Sequence, residues 1–331
     1  MVKLGIMIEG QEGLNWERWN RFTDAAESLG FDSLWRSDHL ASLTNIPTLP
    51  DAKGDPARET LALWPSLTAV ALRTTRIEFG QLVSPATFRH PVHLASDGAA
   101  VDLLSNGRFW LGVGAGWNAQ EHQAFGFPLR PVGERMDRFE EALQVIRLLG
   151  SGEPVSFQGT HFQLDEARTA YVPPRPSGSR LMLGGGGEQR TLRLVAEYAD
   201  EWNAPTMPHA AYLHKTEVLH RHCDAVGRDP RQIQRSMLLG HIVGADLTDL
   251  RQRATNVQAI LPGLRDFSAD EVIERQRDLG WIVGTTDEVA DQIQAWGALG
   301  VQRVMLQTFD MDDMDQMKLI ASEVIPRVAR G

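Results

Sequence analysis

Several absences narrow the field first. Cysteine occurs once, at Cys223, so no intrachain disulfide can form, and the chain suits a reducing cytoplasm. No apolar run approaches the roughly 20 residues that a membrane span needs. Basic runs are missing as well. Lys and Arg number 33 against 43 Asp and Glu, and this acidic balance argues against nucleic acid or an anionic membrane surface as a partner. Met1-Val-Lys-Leu-Gly-Ile-Met-Ile8 opens as a strand, without the n-region, h-region and cleavage site of a signal peptide. There is no internal repeat, low-complexity tract or Pro/Ser-rich linker. Gly-x-Ser-x-Gly, a Walker loop, His-Glu-x-x-His and a cysteine pair for zinc are all absent. Gly112-x-Gly114-x-Gly116 lacks the third glycine of the dinucleotide fingerprint at its required place. His90 with His93 and His220 with His222 have no carboxylate at a ligand spacing, so no metal is expected.

What is present is a long alternation. The 331 residues are 42% hydrophobic, enough for one large core. Apolar runs at Leu4–Ile8, Ser33–His39, Arg76–Val83, Arg108–Gly116, Leu181–Leu183, Glu201–Ala204, Arg235–Val243 and Arg303–Phe309 read as eight strands. Helical periodicity falls between them, over Trp16–Leu29, Thr60–Leu72, His90–Leu104, Glu134–Leu149, Ala210–Val226, Thr286–Leu299 and Asp313–Val328. In the first of these, Trp16, Trp19, Phe22, Thr23 and Ala26 share a face. The alternation predicts an α/β fold, a (β/α)8 TIM barrel with insertions, in competition with a doubly wound sheet. We read one domain over 1–331, with insertions near 40–58, 154–176 and 245–280. Val155–Phe162 reads as a hairpin around Gln158-Gly159.

The stretch with the most chemical content is Arg180-Leu-Met-Leu-Gly-Gly-Gly-Gly-Glu-Gln-Arg-Thr191. A strand enters Gly184, Gly185, Gly186 and Gly187, and a helix follows. That order brings bare backbone N–H groups and a helix N-terminus close to an anion, with Arg190 adding a cation. A flexible turn between core elements is the competing reading. In a barrel the active site lies at the C-terminal ends of the strands. Those ends carry Asp38-His39, Val83-Ser84, Gly112–Gly116 and the glycine turn. Glycines at adjoining ends imply that something flat or bulky approaches the backbone closely.

Ser37-Asp-His39, Thr87-Phe-Arg-His-Pro91, Gly112-Val-Gly-Ala-Gly-Trp-Asn-x-x-Glu121 with Ala124-Phe-Gly126, and Gly184-Gly-Gly-Gly-Glu-x-Arg-Thr-Leu192 together resemble the bacterial luciferase-like superfamily. Within it they are most similar to the oxidoreductases that depend on the deazaflavin coenzyme F420. The resemblance runs from Val2 to Val328 and includes Val283-Gly-Thr-x-x-Glu-Val289. It implies a barrel holding a deazaflavin, or alternatively FMN, with the phosphate tail at Gly184–Gly187. It also implies a cis peptide at Leu82-Val83, forming a bulge behind the central ring. Asp38 matches a position that hydrogen-bonds the ring, and His39 matches the active-site histidine; a structural histidine closing a strand end is the bland alternative. Gly116 and Asn118 match positions lining the ring and ribityl chain, or else form a plain turn. Ser84, Ala115, Arg190 and Thr191 complete the implied cofactor-binding set. Arg175, Arg180 and Arg193 are further candidate cations for the tail's carboxylates, or are solvated.

One departure bears on substrate. Family members that oxidise sugar phosphates place a glutamate directly after the strand-four glycines, where this chain has Trp117. The resemblance therefore implies a small organic substrate with an apolar or aromatic face, converted by hydride transfer. The FMN alternative is a monooxygenase served by a separate flavin reductase, and a non-catalytic flavin-binding relative is the third reading. An F420 reductase would be the corresponding partner of the first. Relatives of this kind dimerise through barrel helices, so the resemblance admits a homodimer.

Overall fold

The computed structural model describes residues 1–42, 60–169, 175 and 177–329. Most of the 40–58 insertion, from 43 onward, lies outside the described residues, as do 170–174 and 176 of the 154–176 excursion. The strands in chain order begin with β1 (Lys3–Ile8), β2 (Ser33–Arg36), β3 (Glu78–Gln81) and β4 (Ser84–Pro85). They continue with β5 (Phe109–Gly114), β6 (Val155–Gln158), β7 (Gln163–Ala167) and β8 (Arg180–Gly184). The last are β9 (Glu201–Ala204), β10 (Gln234–Gly244), β11 (Ile282–Thr285) and β12 (Arg303–Thr308). The helices run α1 (Trp16–Ser28), α2 (Leu63–Arg73), α3 (Pro91–Leu104), α4 (Ala119–Phe125), α5 (Val132–Leu149) and α6 (Thr191–Tyr198). After them come α7 (His209–Ala225), α8 (Leu247–Ile260), α9 (Ala269–Asp278), α10 (Thr286–Ala298), α11 (Met314–Leu319) and α12 (Ile325–Val328).

The chain folds as two compact units. The first comprises Met1–Leu61, Ala204–His214 and Arg235–Gly331. Its strands are parallel in the order β11-β10-β12-β1-β2, with Gly5 in register with both Met305 and Ser33. The second comprises Ala62–Asn203 and Lys215–Gln234. Its parallel order is β3-β5-β8-β9, with β4 also paired to β5. β10 changes partner along its length: Ser236–Gly240 pair with β12 and His241–Gly244 with β11. In each unit parallel strands alternate with helices, as crossover connections require.

Local chemistry explains the element ends. β1 is buried from Leu4 to Ile8, as expected of a parallel strand covered on both faces. α1 starts where the Asn15 side chain accepts from the Arg18 N–H at 2.9 Å and stops before Gly30, whose φ is +91°. Trp19, Phe22 and Ala26 are buried, but Trp16 is 46% exposed and lies off the face the periodicity assigned it. Pro91 takes the first position of α3 and His90 caps it. Met136, Phe139, Leu143, Ile146 and Leu149 form the buried stripe of α5 expected from their spacing. Glu288 accepts from the Thr285 N–H at 2.8 Å, closing the start of α10.

Several boundaries differ from the sequence reading. The hairpin turn is 159–162 and its second strand starts at Gln163. Glu141 of α5 sets this by accepting from the N–H groups of Thr160, His161 and Phe162 at 2.8, 2.8 and 3.1 Å. The last helix is not uniform, because a π turn at Ile320–Val324 separates α11 from α12. Pro326 lacks an N–H for the carbonyl four residues back, and the wider turn accommodates that loss. Finally, β2 and β3 stop at Arg36 and Gln81, short of the predicted ends; Ser37 adds one more backbone bond to Ile8 at 3.0 Å, and the cis peptide Leu82–Val83 follows β3 directly.

Candidate active site

In the first unit the C-terminal ends of four neighbouring strands carry a connected row of polar groups. Ser37 follows β2; its Oγ accepts from the Gly10 N–H at 2.8 Å and donates to Gln11 Oε1 at 2.5 Å. Gln11 Nε2 donates to the Glu9 carboxylate at 2.9 Å, and Gln307 of β12 donates to its other oxygen. The Gln307 carbonyl in turn lies 3.1 Å from Nδ1 of His241 on β10. Asp38, buried, and His39, half-buried, follow Ser37 directly, so this row fixes the backbone that presents them. Glu9, Gln11, Gln307 and His241 were not singled out in the sequence. Glu9 offered a signal, as the first polar residue after an apolar strand, and His241 offered one as a histidine within an otherwise apolar run.

His241 is 4% exposed, and burial pushes its imidazole down to about 4; the Gln307 carbonyl and Asp313 oppose that shift, while Arg253 adds to it. The ring is therefore neutral near pH 7, with Nδ1–H donated to Gln307 and Nε2 without a hydrogen-bond partner among the described residues. The folded value lies below the ordinary 6.5, so the unfolded chain holds more protons between the two. Stability accordingly falls as pH drops from about 6.5 toward 4, by up to roughly 3 kcal/mol from this group. We expect urea midpoints measured across that window to fall for the wild type and to fall less for His241→Gln. Equal slopes in the two proteins defeat the assignment.

In the second unit the Leu82–Val83 peptide is cis, as the resemblance implied. The Val83 side chain occupies the space that Gly114 and Gly184 leave open and touches Gly112. A Cβ on Gly114 would lie 2.8 Å from Val83 Cγ2, and one on Gly112 or Gly184 would lie 3.4 or 3.3 Å from Cγ1. Val83 thus packs tightly against Gly114 and Gly184, whereas a Cβ on Gly112 would first meet the Gln81 carbonyl oxygen, at 1.9 Å. Ser84 pairs with Val113 beside them. Beyond β5, Ala115 leads to Gly116, where φ is +82° and a Cβ would sit 2.6 Å from Thr87 Oγ1. Asn118 caps α4, its Oδ1 accepting from the Glu121 N–H at 3.2 Å. Its carbonyl lies 2.6 Å from Nδ1 of buried His122, whose Nε2 is 2.7 Å from Thr87 Oγ1. His122 was also missed, and it ties the Thr87 segment to the turn after β5. Trp117 is 57% exposed at that turn.

The glycine turn leaves β8 at Gly184. Gly185, at φ +120°, donates to the Asn203 carbonyl at 3.1 Å and accepts from Trp202 Nε1 at 2.7 Å. Gly187 accepts from the Leu192 N–H at 2.9 Å, and a Cβ there would meet Thr191 Oγ1 at 2.9 Å. The turn is thus tied by its own backbone groups to β9 and to the start of α6.

The cations fall elsewhere than expected. Arg190 is directed to α5, 2.7 Å from Asp137 and 3.1 Å from the Gly133 carbonyl. Arg193 pairs with Glu140 and Glu197, and Arg175 with Asp102. Arg180 begins β8, at the opposite end of the strand from Gly184, and pairs with Glu78. The cation that reaches the turn is Lys215 of α7, whose Nζ donates to the Gly186 carbonyl at 2.7 Å. A surface groove of about 650 Å³, bordered by Ser28, Asp249, Arg253 and Lys318, includes none of the predicted residues. Among the described residues no group of three or more His, Cys, Asp or Glu is placed to hold a metal ion, and no helix is long and apolar enough to cross a membrane.

A model of the luciferase-like monooxygenase family matches residues 3–303. The F420-dependent hydroxymycolic acid dehydrogenase of Mycobacterium tuberculosis is 29% identical over 294 residues, covering 85% of this chain and 76% of that protein. Among solved structures, an F420-dependent secondary alcohol dehydrogenase in complex with an F420-acetone adduct superposes with a TM-score of 0.80. It is 20% identical, with 99% of both chains covered. A long-chain alkane monooxygenase superposes at 0.79 with 16% identity, covering 98% of this chain and 91% of that one. The fold class is therefore the α/β (β/α)8 barrel of these structures, with insertions, and the doubly wound alternative is set aside.

Proposed function

We propose that this chain, which belongs to the luciferase-like monooxygenase family, is a coenzyme F420-dependent oxidoreductase moving a hydride to or from a small organic substrate. The observation that carries this reading is the four-glycine cradle between β8 and α6, with a lysine at its rim. Gly184–Gly187 and Thr191 hold the tail's phosphate, while Leu82, Val83, Ser84, Ala115, Gly116 and Asn118 line the ring. Arg190 takes a supporting place, orienting the turn through α5. Once bound, a reduced deazaflavin supplies hydride from carbon. The protein supplies orientation and protons. Asp38 hydrogen-bonds the ring, and His39 gives or takes the proton at the substrate oxygen. The Ser37-Gln11-Glu9-Gln307 row keeps those two residues in place.

A substrate with an apolar face suits exposed Trp117, where a carboxylate would stand in enzymes acting on sugar phosphates. The dehydrogenase and alcohol dehydrogenase relatives support alcohol or ketone chemistry. We place the protein in a reducing cytoplasm, where its buried Cys223 stays a thiol. Titration of the purified protein with oxidised F420, followed by coenzyme fluorescence, tests the reading. Saturation at micromolar coenzyme is expected. Absence of binding there, with FMN bound instead and oxygen consumed in the presence of substrate, replaces it with a monooxygenase served by a separate reductase.

A further inference from the structure

We infer that Lys215 is the exchangeable cation that selects an anionic cofactor tail at the glycine turn, leaving Glu188 for the ligand's phosphate when the tail binds. The inference rests on the F420 reading and adds to it a residue and a partner switch.

Four observations in the second unit lead there. The Lys215 stem lies along the turn, its Cε 3.3 Å from where a Gly186 Cβ would be, so a side chain there would press on it. Its ammonium is anchored by the Gly186 carbonyl at 2.7 Å and paired with Glu188 Oε1 at 3.1 Å. A lysine has three N–H donors, so one remains for a ligand even before any exchange. Two helical turns further along α7, His222 Nε2 lies 2.8 Å from the Glu188 carbonyl, so one face of this helix grips the turn at both Gly186 and Glu188.

Exposure decides which contact gives way. The Lys215 side chain is 21% exposed and that of Glu188 is 43% exposed, so their ion pair faces water and contributes little. A phosphate held in the cradle offers more charge and several acceptor oxygens at the same ammonium, and charge-assisted bonds of that kind are the stronger ones. The Gly186 carbonyl remains as the fixed anchor through the exchange. Glu188 then becomes a competing anion at the rim. Removing it favours the ligand, whereas removing Lys215 disfavours it. A purely structural Lys215–Glu188 pair would give both changes the same sign.

The test is fluorescence titration of the full chain with F420 and with the deazaflavin riboside that lacks the phosphate tail. Lys215→Gln is expected to weaken F420 binding ten-fold or more and to leave riboside binding unchanged. Lys215→Arg is expected to restore most of the loss, and Glu188→Gln to tighten F420 binding about two- to five-fold. The salt dependence of F420 binding should be shallower in Lys215→Gln than in the wild type. Weakening by both Lys215→Gln and Glu188→Gln, or equal weakening toward the riboside and F420, overturns the assignment. A wild-type protein that binds the riboside and F420 equally well also overturns it, while leaving the deazaflavin reading intact. Failure of the wild type to bind either compound overturns that reading itself.

Discussion

Alanine at His39 is expected to leave F420 affinity within a few-fold of wild type and to lower turnover by about 100- to 10,000-fold, the range a positioned general acid or base supplies. The split follows from position. His39 is two residues beyond Ser37, whose bonds to Gly10 and Gln11 hold the end of β2, and the alanine variant keeps all of them. The cradle at Gly184–Gly187 belongs to other elements and is untouched. Coenzyme fluorescence should therefore titrate normally while single-turnover hydride transfer slows. His39→Gln, which can donate a hydrogen bond but cannot deliver a proton, should resemble alanine in rate. Turnover at the wild-type rate in either variant would remove His39 from the chemistry. Parallel loss of binding and rate would instead make it a residue that shapes the pocket.

How much of this was readable beforehand depends on how far apart the cooperating residues lie in sequence. Most strand and helix positions were legible because apolar spacing is local: the stripe of α5 needs only the residues of α5, whereas the four-residue β11 was not read as a strand. The glycine turn was legible for the same reason. The charges around it were not. Arg190 looked like an anion's partner because its own neighbourhood is glycine and polar. Asp137 and Glu140, which claim it, lie some 50 positions earlier on a helix whose packing partner no local pattern reveals. Lys215 is 29 residues from Gly186 and sits on a polar helix face that reads as solvated. The Glu9–Gln307 contact joins residues 298 apart, through the pairing of β1 with β12. Resemblance supplied the roles proposed for Asp38 and His39 and the cis peptide; the strand pattern alone had only placed the two residues at a strand end. It did not supply the reason for Gly112, Gly114 and Gly184.

At Gly112 that reason is the Gln81 carbonyl, and it predicts the largest loss of stability from a single methyl group. In Gly112→Ala the new Cβ would stand 1.9 Å from the Gln81 carbonyl oxygen and 3.1 Å from its carbon. Both are backbone atoms of β3, the strand paired alongside β5, and neither can turn aside as a side-chain tip can. β5 lies between β3 and β8, so relief requires parting a parallel ladder, and a cost of about 3 kcal/mol or more is expected. Gly114→Ala places its methyl against Val83 Cγ2 at 2.8 Å, a side-chain contact that a small shift of Val83 eases, at about 1–2 kcal/mol. Gly126→Ala meets nothing within 4 Å and bears only the strain of φ +72°, about 1 kcal/mol. Midpoints of thermal unfolding under identical conditions should therefore fall in the order Gly126→Ala, Gly114→Ala, Gly112→Ala. Gly112→Ala should also lose F420 affinity, because Val83 and Gly184 pack against the same displaced segment. If Gly112→Ala unfolds at the same temperature as Gly126→Ala, β3 is free to move away from β5, and the Gln81 carbonyl is not what Gly112 makes room for.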